Sequence, residues 1–444
     1  MKRYKYIFLL ILLGVVLELP AQDLEERSNA GMGIADVITL TLENNYDIKI
    51  SKNNARTSAI DAVPGNADYL PTVDFSAGYN YASDNTDLAF ADPNTPEINA
   101  DGAVTETINA GITVNYNIYS GGNRKSTFSK LKNESYISDL QLQQNIESSV
   151  LNVLSQFLNT VNLYEAFKIS EESVDISRNR YERAETNYAF GSLSKLELLN
   201  AEVDLRNDSI NLVQAQIAYE KSIKDLNNII GINPDSSYVI DPTFTFEEDL
   251  VVDQLVEEAM SNNTAYLIAR SSIKSSELDL AINKARFLPS LDFSGGYQYS
   301  DITYGASFLS TQTTLGWNAG LTLSYNIFDA GSRRRTKEKT TLQIQNQKVA
   351  FAQTENNLKT DLLKAYDDYQ SNIALLSLNE RNLITSSVNY ERSVEAFSTG
   401  QITGIELREA QLNLLNSKYS VSLQRIQAKL SEVNLHFYAG TLVN

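Results

Sequence analysis

The chain has 444 residues, 42% hydrophobic and 21% charged, with 37 Lys and Arg against 55 Asp and Glu and a formal net charge of −18. It has no cysteine and a single histidine, His436, which excludes a disulfide framework, a thiolate nucleophile and a cysteine-type zinc site and leaves no metal or cofactor to expect. The acidic balance argues against a nucleic-acid partner, because neutralising phosphates takes clustered Lys and Arg. Only 8 prolines and 20 glycines punctuate the chain, so long regular elements are expected.

Lys2, Arg3 and Lys5 precede an apolar run from Tyr6 to Leu17. The run is too short to span a bilayer and reads as a secretory signal over residues 1–21, cleaved after Ala21. With no cysteine beyond it, a lipid-anchored mature terminus is not expected. No later run supplies the roughly 18 apolar residues of a transmembrane helix.

A first unit follows over residues 22–231. A helix is expected over 34–66, ending before Leu70-Pro71, which biases the chain toward extended geometry. Strands are expected over 71–82 and 107–119. Val73, Phe75, Ala77, Tyr79 and Tyr81 alternate with Thr72, Asp74, Ser76, Gly78 and Asn80, and Ile108 to Ile118 alternate likewise with Asn109, Gly111, Thr113, Asn115 and Asn117, a period of two. The acidic stretch from Ser83 to Thr105 between them reads as an external loop. Residues 123–190 contain no Pro or Gly and predict a helix of roughly 100 Å at about 1.5 Å per residue. Val150, Leu154, Phe157, Val161 and Tyr164 mark a heptad seam on it. Gly191 breaks it, Ser194 reads as an N-cap, and a return helix over 194–230 carries Leu196, Leu199, Val203, Ile210, Val213 and Ile217. Residues 232–250, with Pro234 and Pro242, form a connecting segment.

Residues 251–444 repeat the unit. The stretch from Tyr69 to Tyr79 recurs from Phe287 to Tyr297 at a shift of 218, and Asn109-Ala110-Gly111, Gly191, Glu197, Ala201 and Gly231 recur as Asn318-Ala319-Gly320, Gly400, Glu406, Ala410 and Gly440 at a shift of 209. The difference falls between the strands, where loops change length. The second copy is expected as a helix over 251–285, strands over 289–300 and 314–328, and helices over 332–399 and 403–439.

Strands of about ten residues with one apolar, partly aromatic face and one face of Asn, Ser, Thr and Gly fit a tilted crossing of a bilayer. Four strands are fewer than the roughly eight of the smallest membrane barrels, and a lipid-exposed sheet must close, so copies are expected to pool their strands. Five basic residues directly after the strands, Arg124, Lys125, Arg333, Arg334 and Arg335, read as membrane-interface anchors to outer-membrane lipid, since at helix starts they oppose the helix dipole.

The duplicated layout, the strand pairs opened by Leu-Pro and the turns running from Tyr188 or Phe397 through Gly191 or Gly400 to Glu197 or Glu406 and Ala201 or Ala410 resemble the TolC family of outer-membrane efflux and secretion channels. The resemblance covers essentially the whole mature chain. It implies a mixed α and β membrane protein, a homotrimer forming a 12-stranded transmembrane β-barrel continued by a periplasmic α-helical barrel. It implies no enzyme but the exit duct of a tripartite efflux or type I secretion system, with a periplasmic adaptor and an inner-membrane transporter of RND, ABC or MFS type as partners. Carried over by position, Gly191, Ser192, Leu193, Gly400, Gln401 and Ile402 are the adaptor-docking tip, and Glu197, Glu406 and Glu409 constrict it. A basic tip residue of some relatives is Ile402 here, with Arg408 as its nearest substitute. The alternatives are a self-standing outer-membrane diffusion porin and a periplasmic coiled-coil scaffold.

Overall fold

The structure, a computed structural model, describes residues 31–91, 95–247 and 250–443; the expected signal lies outside them. Helices α1 (Ile34–Asn44) and α2 (Tyr46–Asp61) lead to strands β1 (Thr72–Leu88) and β2 (Ile98–Tyr119) and helices α3 (Asn123–Ala189) and α4 (Lys195–Ile230). The second half runs α5 (Val252–Asn262), α6 (Thr264–Ala285), β3 (Ser290–Tyr304), β4 (Thr311–Ser324), α7 (Ser332–Ser398) and α8 (Gly404–Ala439). Two compact units cut across the repeats: Met1–Tyr46, Ser149–Leu250 and Ala365–Leu435 form one, and Asp47–Ser148, Val251–Lys364 and His436–Asn444 the other. Neither repeat is a domain by itself, because a lone two-stranded hairpin cannot bury its faces and β2 of the first copy pairs with β3 of the second.

The first unit is helical. Val153, Phe157, Leu158 and Val161 of α3 close on Leu226 and Ile230 of α4, with Val37, Ile240 and Ile426 completing the core. The expected seam of α3 is thus the buried face, and α4 packs on it antiparallel: Gln156 and Thr160 reach Ser222 O (both 3.4 Å), while Arg180, nearer the turn, reaches Asp204 (3.0 Å). The connecting segment is laid onto these helices. Met32 N–H donates to Val239 O (2.7 Å), Tyr238 OH to Asn227 Oδ1 (2.7 Å), and Tyr369 OH to Glu247 O (2.8 Å).

The second unit holds an antiparallel sheet in the order β1-β2-β3-β4. Register aligns Phe75, Ile112, Tyr297 and Trp317 in one row of one face, and Asp74, Thr113, Gly296 and Asn318 in a row of the other. The apolar row is left uncovered by the described residues, with Phe75 73% and Trp317 80% exposed. Both edges of the sheet, β1 and β4, lack a further strand among the described residues.

Several boundaries differ from the sequence expectation, for local physical reasons. The helices expected over 34–66 and 251–285 are each broken, at Asn45 and Asn263, where the backbone turns extended (ψ 131° and 120°). Asn263 Oδ1 caps α6 by accepting from Tyr266 N–H (3.1 Å), and its Nδ2 donates to Tyr438 O (3.1 Å) at the end of α8. Asn45 Nδ2 likewise donates to Ile229 O (2.8 Å) at the end of α4. Helix α2 also stops at Asp61, short of Val63-Pro64. Strand β4 stops at Ser324 rather than 328, because its last partner is Ser290 and Pro289 before it has no N–H to give the ladder. Much of the supposed external loop is paired: Ser83 faces Val104, and past an irregularity at Asp84/Thr86 the ladder continues to Leu88 and Ile98. Gly102 supplies the bulge with a left-handed backbone (φ 66°), and its N–H is held by Asn85 Oδ1 (2.8 Å). His436 lies in the last turn of α8, its Nδ1 2.9 Å from Thr441 Oγ1.

Candidate functional site

Two turns of the first unit end the long helices, and both are built alike. Gly191 (φ 79°) stops α3, with Gly191 N–H on Tyr188 O and Ser192 N–H on Asn187 O (both 2.9 Å), a Schellman closure. Gly400 (φ 74°) stops α7, with its N–H on Phe397 O (3.1 Å) and Gln401 N–H on Ala396 O (2.8 Å). A capping box then starts each return helix. Ser194 Oγ accepts from Glu197 N–H (3.2 Å) while Glu197 accepts from Ser194 N–H (3.0 Å), and Thr403 and Glu406 do the same at 3.3 and 2.7 Å. The backbone hydrogen bond first, and the hydroxyl second, hold both carboxyls below their usual range. Glu197 and Glu406 are therefore folded back onto their own helix starts, where the dipole favours an acid; Glu409 is exposed one turn further on.

Leu193 of one turn and Gly400, Gln401 and Ile402 of the other line a single groove of about 820 Å³, with Glu197 and Arg183 in its walls. Gly191 and Ser192 are exposed outside that lining. No atom stands within 4 Å of where a Cβ would sit at Gly191 or Gly400, so these glycines serve their backbone conformation and leave open space around the turns.

Behind the turns lies a cluster that sequence reading did not assemble. Arg408 of α8 makes a forked contact with Asp208 of α4 (2.7 and 2.8 Å), and Ser177 of α3 donates to the same carboxylate. Arg180 of α3 bridges Asp204 (3.0 Å) and Gln411 Oε1 (3.2 Å). Arg408 is thus spent on tying α8 to α3 and α4. The available signal was spacing: Asp208 follows buried Ala201 by seven residues, on the same helix face.

At the foot of the sheet, the five basic residues divide. Lys125, Arg334 and Arg335 are exposed. The guanidinium groups of Arg124 and Arg333 are turned onto the protein, each 5.3 Å from an aromatic centroid, Tyr69 and Phe287.

A chain with duplicated long helical hairpins and an open, apolar-faced four-stranded sheet has relatives. Residues 37–232 and 255–441 match the Outer membrane efflux protein family. The chain belongs to that family. It is an outer-membrane exit duct of the efflux type, and the family is one of channels rather than enzymes. The TolC resemblance read from the duplicated turns holds: the chain is 21% identical over 419 residues to the outer membrane protein TolC of Vibrio cholerae serotype O1, spanning 92% of this chain and 91% of that one. It is 19% identical over 415 residues to the cation efflux system protein CusC of Escherichia coli O157:H7, covering 92% and 85%. The Campylobacter jejuni CmeC outer membrane channel superposes with a TM-score of 0.76 at 18% identity over 92% of this chain and 86% of that one, which shows a shared fold.

Proposed function

We propose that three copies of the chain form one duct, each giving four strands to a twelve-stranded barrel in the outer membrane and its long hairpins to a periplasmic helical barrel. Cargo passes to it from an inner-membrane transporter of RND, ABC or MFS type through a periplasmic adaptor. The observation that carries this reading is the sheet: one face is apolar and exposed, and neither edge strand has a further strand beside it among the described residues. In hydrocarbon each unpaired N–H or C=O costs several kcal/mol, so such edges must find strands of other copies. Twelve strands with a lumen face of Asn, Ser, Thr and Gly leave room for a passage. A second surface supports it. Leu196, Leu199, Val203, Ile210, Val213 and Ile217 follow heptad spacing down α4 yet are 43–68% exposed, a seam left uncovered by the described residues.

The groove between the two turns is the adaptor-docking site of this reading, and Lys125, Arg334 and Arg335 meet outer-membrane lipid. The test uses position 400. Gly400→Ala carries the cost of a left-handed residue, whereas Gly400→Trp adds bulk to a space that is empty in the chain itself. The expected result is intact oligomers in both, with export and adaptor cross-linking lost only in the Trp variant. Unchanged export in Gly400→Trp overturns the docking assignment.

A further inference from the structure

Each strand pair is closed at its base by one arrangement, built twice from residues far apart in sequence. In the first copy the chain enters β1 through Asp68-Tyr69 and leaves β2 through Ser120-Gly121. Arg124, the second residue of α3, reaches back across both crossings. Its Nη1 donates to Asp68 O on the entry side (3.3 Å), its Nη2 to Ile118 O on the exit side (2.7 Å), and its guanidinium lies over the rings of Tyr69 (5.3 Å) and Tyr116 (5.5 Å). In the second copy Arg333, the second residue of α7, donates from Nη1 to Arg286 O (3.2 Å) and from Nε to Asp329 Oδ2 (2.9 Å), and lies 5.3 Å over Phe287.

The correspondence is position for position. Asp68 matches Arg286 and Tyr69 matches Phe287 at the entry shift of 218, while Ser120 matches Asp329 and Arg124 matches Arg333 at the exit shift of 209. Ser120 Oγ and Asp329 Oδ2 each accept the backbone N–H of the arginine (3.4 and 2.9 Å). Both turns run through two left-handed residues, Gly121 and Gly122 in one and Ala330 and Gly331 in the other. The side chains at the entry and in the turn differ between the copies. What is common is a planar fork, a flat ring and a main-chain carbonyl. A lysine at these positions keeps the charge but has neither the fork that reaches two groups nor the plane that stacks.

We propose that Arg124 and Arg333 are positioning residues for barrel closure. Each locks the two chain crossings at the base of its strand pair, so that the strands leave the helices at one angle and the free edges of β1 and β4 arrive in register with those of another copy. This rests on the reading that copies share a barrel. It differs from an anchoring role in lipid, which needs only positive charge.

The test compares Arg124→Lys with Arg333→Lys, singly and together, against Lys337→Gln with Lys339→Gln, in full-length protein in outer membranes. The double lysine variant is expected to lower the yield of detergent-resistant oligomer about ten-fold, since the fork and stack are lost with charge kept, while helix content by circular dichroism stays at the parent level. Lys337 and Lys339 are exposed and take no part in the clamp, so the glutamine pair is expected to match the parent. Because the chain has no cysteine, spin labels at Ser76→Cys and Ser129→Cys, in chains diluted into an excess of unlabelled protein, report the strand-to-helix distance within one copy. One narrow distance is expected in the parent, a broadened distribution in Arg124→Lys, and the parent's distance in Arg333→Lys, which leaves the first hairpin folded. Oligomer yield and distances equal to the parent in the lysine variants overturn the proposal. Should the parent itself yield no oligomer, the shared-barrel reading fails and the labels still decide the clamp: broadening in Arg124→Lys supports it, and an unchanged distance overturns it.

Discussion

Burial alone pushes the Asp208 carboxyl up, but the hydrogen bonds from Arg408 and Ser177, with the Arg408 charge, more than reverse this and hold it below the usual range. Its contribution to stability is therefore present above the unfolded-chain value of about 3.9 and lost as pH falls through the lower folded value. Removing the partner leaves a carboxylate uncompensated in a site only 3% exposed. Arg408→Met is expected to cost about 3–5 kcal/mol in denaturant unfolding at neutral pH, and adding Asp208→Asn to restore much of that loss. Glu147 has the opposite sign. It is 3% exposed, with Thr264 (3.1 Å) and Gln143 (3.0 Å) as hydrogen-bond donors, and burial raises its pKa beyond what those donors offset. The stability it confers is full below the unfolded-chain value of about 4.3 and is lost as pH rises through the raised folded value. Glu147→Gln should thus raise the melting temperature at pH 7 to 8, with the gain shrinking toward pH 4; a gain that does not depend on pH contradicts this.

At the scale of elements, the joints between helices carry the next prediction. Gly231 is left-handed (φ 89°) and a Cβ there would stand 2.7 Å from Asn44 O; Gly440 (φ 72°) meets Asn262 C at 2.8 Å. Ala at either position is expected to cost more than the roughly 1–2 kcal/mol of the left-handed backbone alone, whereas Gly191→Ala, with nothing within 4 Å, should cost no more than that backbone term. Chemical unfolding of the three variants side by side measures the difference. Asn263→Ala removes a cap and a bond to Tyr438 O and should cost about 1–2 kcal/mol. Much of this layer was legible in the residues. Breaker-free stretches predict α3 and α7, strict alternation predicts the strands, and Ser194 three residues before Glu197 already spells a capping box. The breaks at Asn45 and Asn263 were written too, as Asn-Asn pairs 218 positions apart, but apolar periodicity runs through them and hides the cap. The contacts of Arg124 with Tyr69 and of Arg408 with Asp208 join residues 55 and 200 positions apart. No local pattern reports such pairs, so neither contact was legible in the residues.

At the scale of the whole molecule, the described residues leave two large apolar surfaces exposed, the face of the sheet and the seam of α4. Among the described residues no helix is long and apolar enough to cross a membrane. In the proposed duct the two edges of the sheet and the α4 seam are met by further copies of the chain. The direct measurement is the mass and image of single particles after extraction from outer membranes into nanodiscs. The account predicts three chains around one central channel, released only by detergent. A monodisperse single chain that stays in solution without surfactant would contradict it.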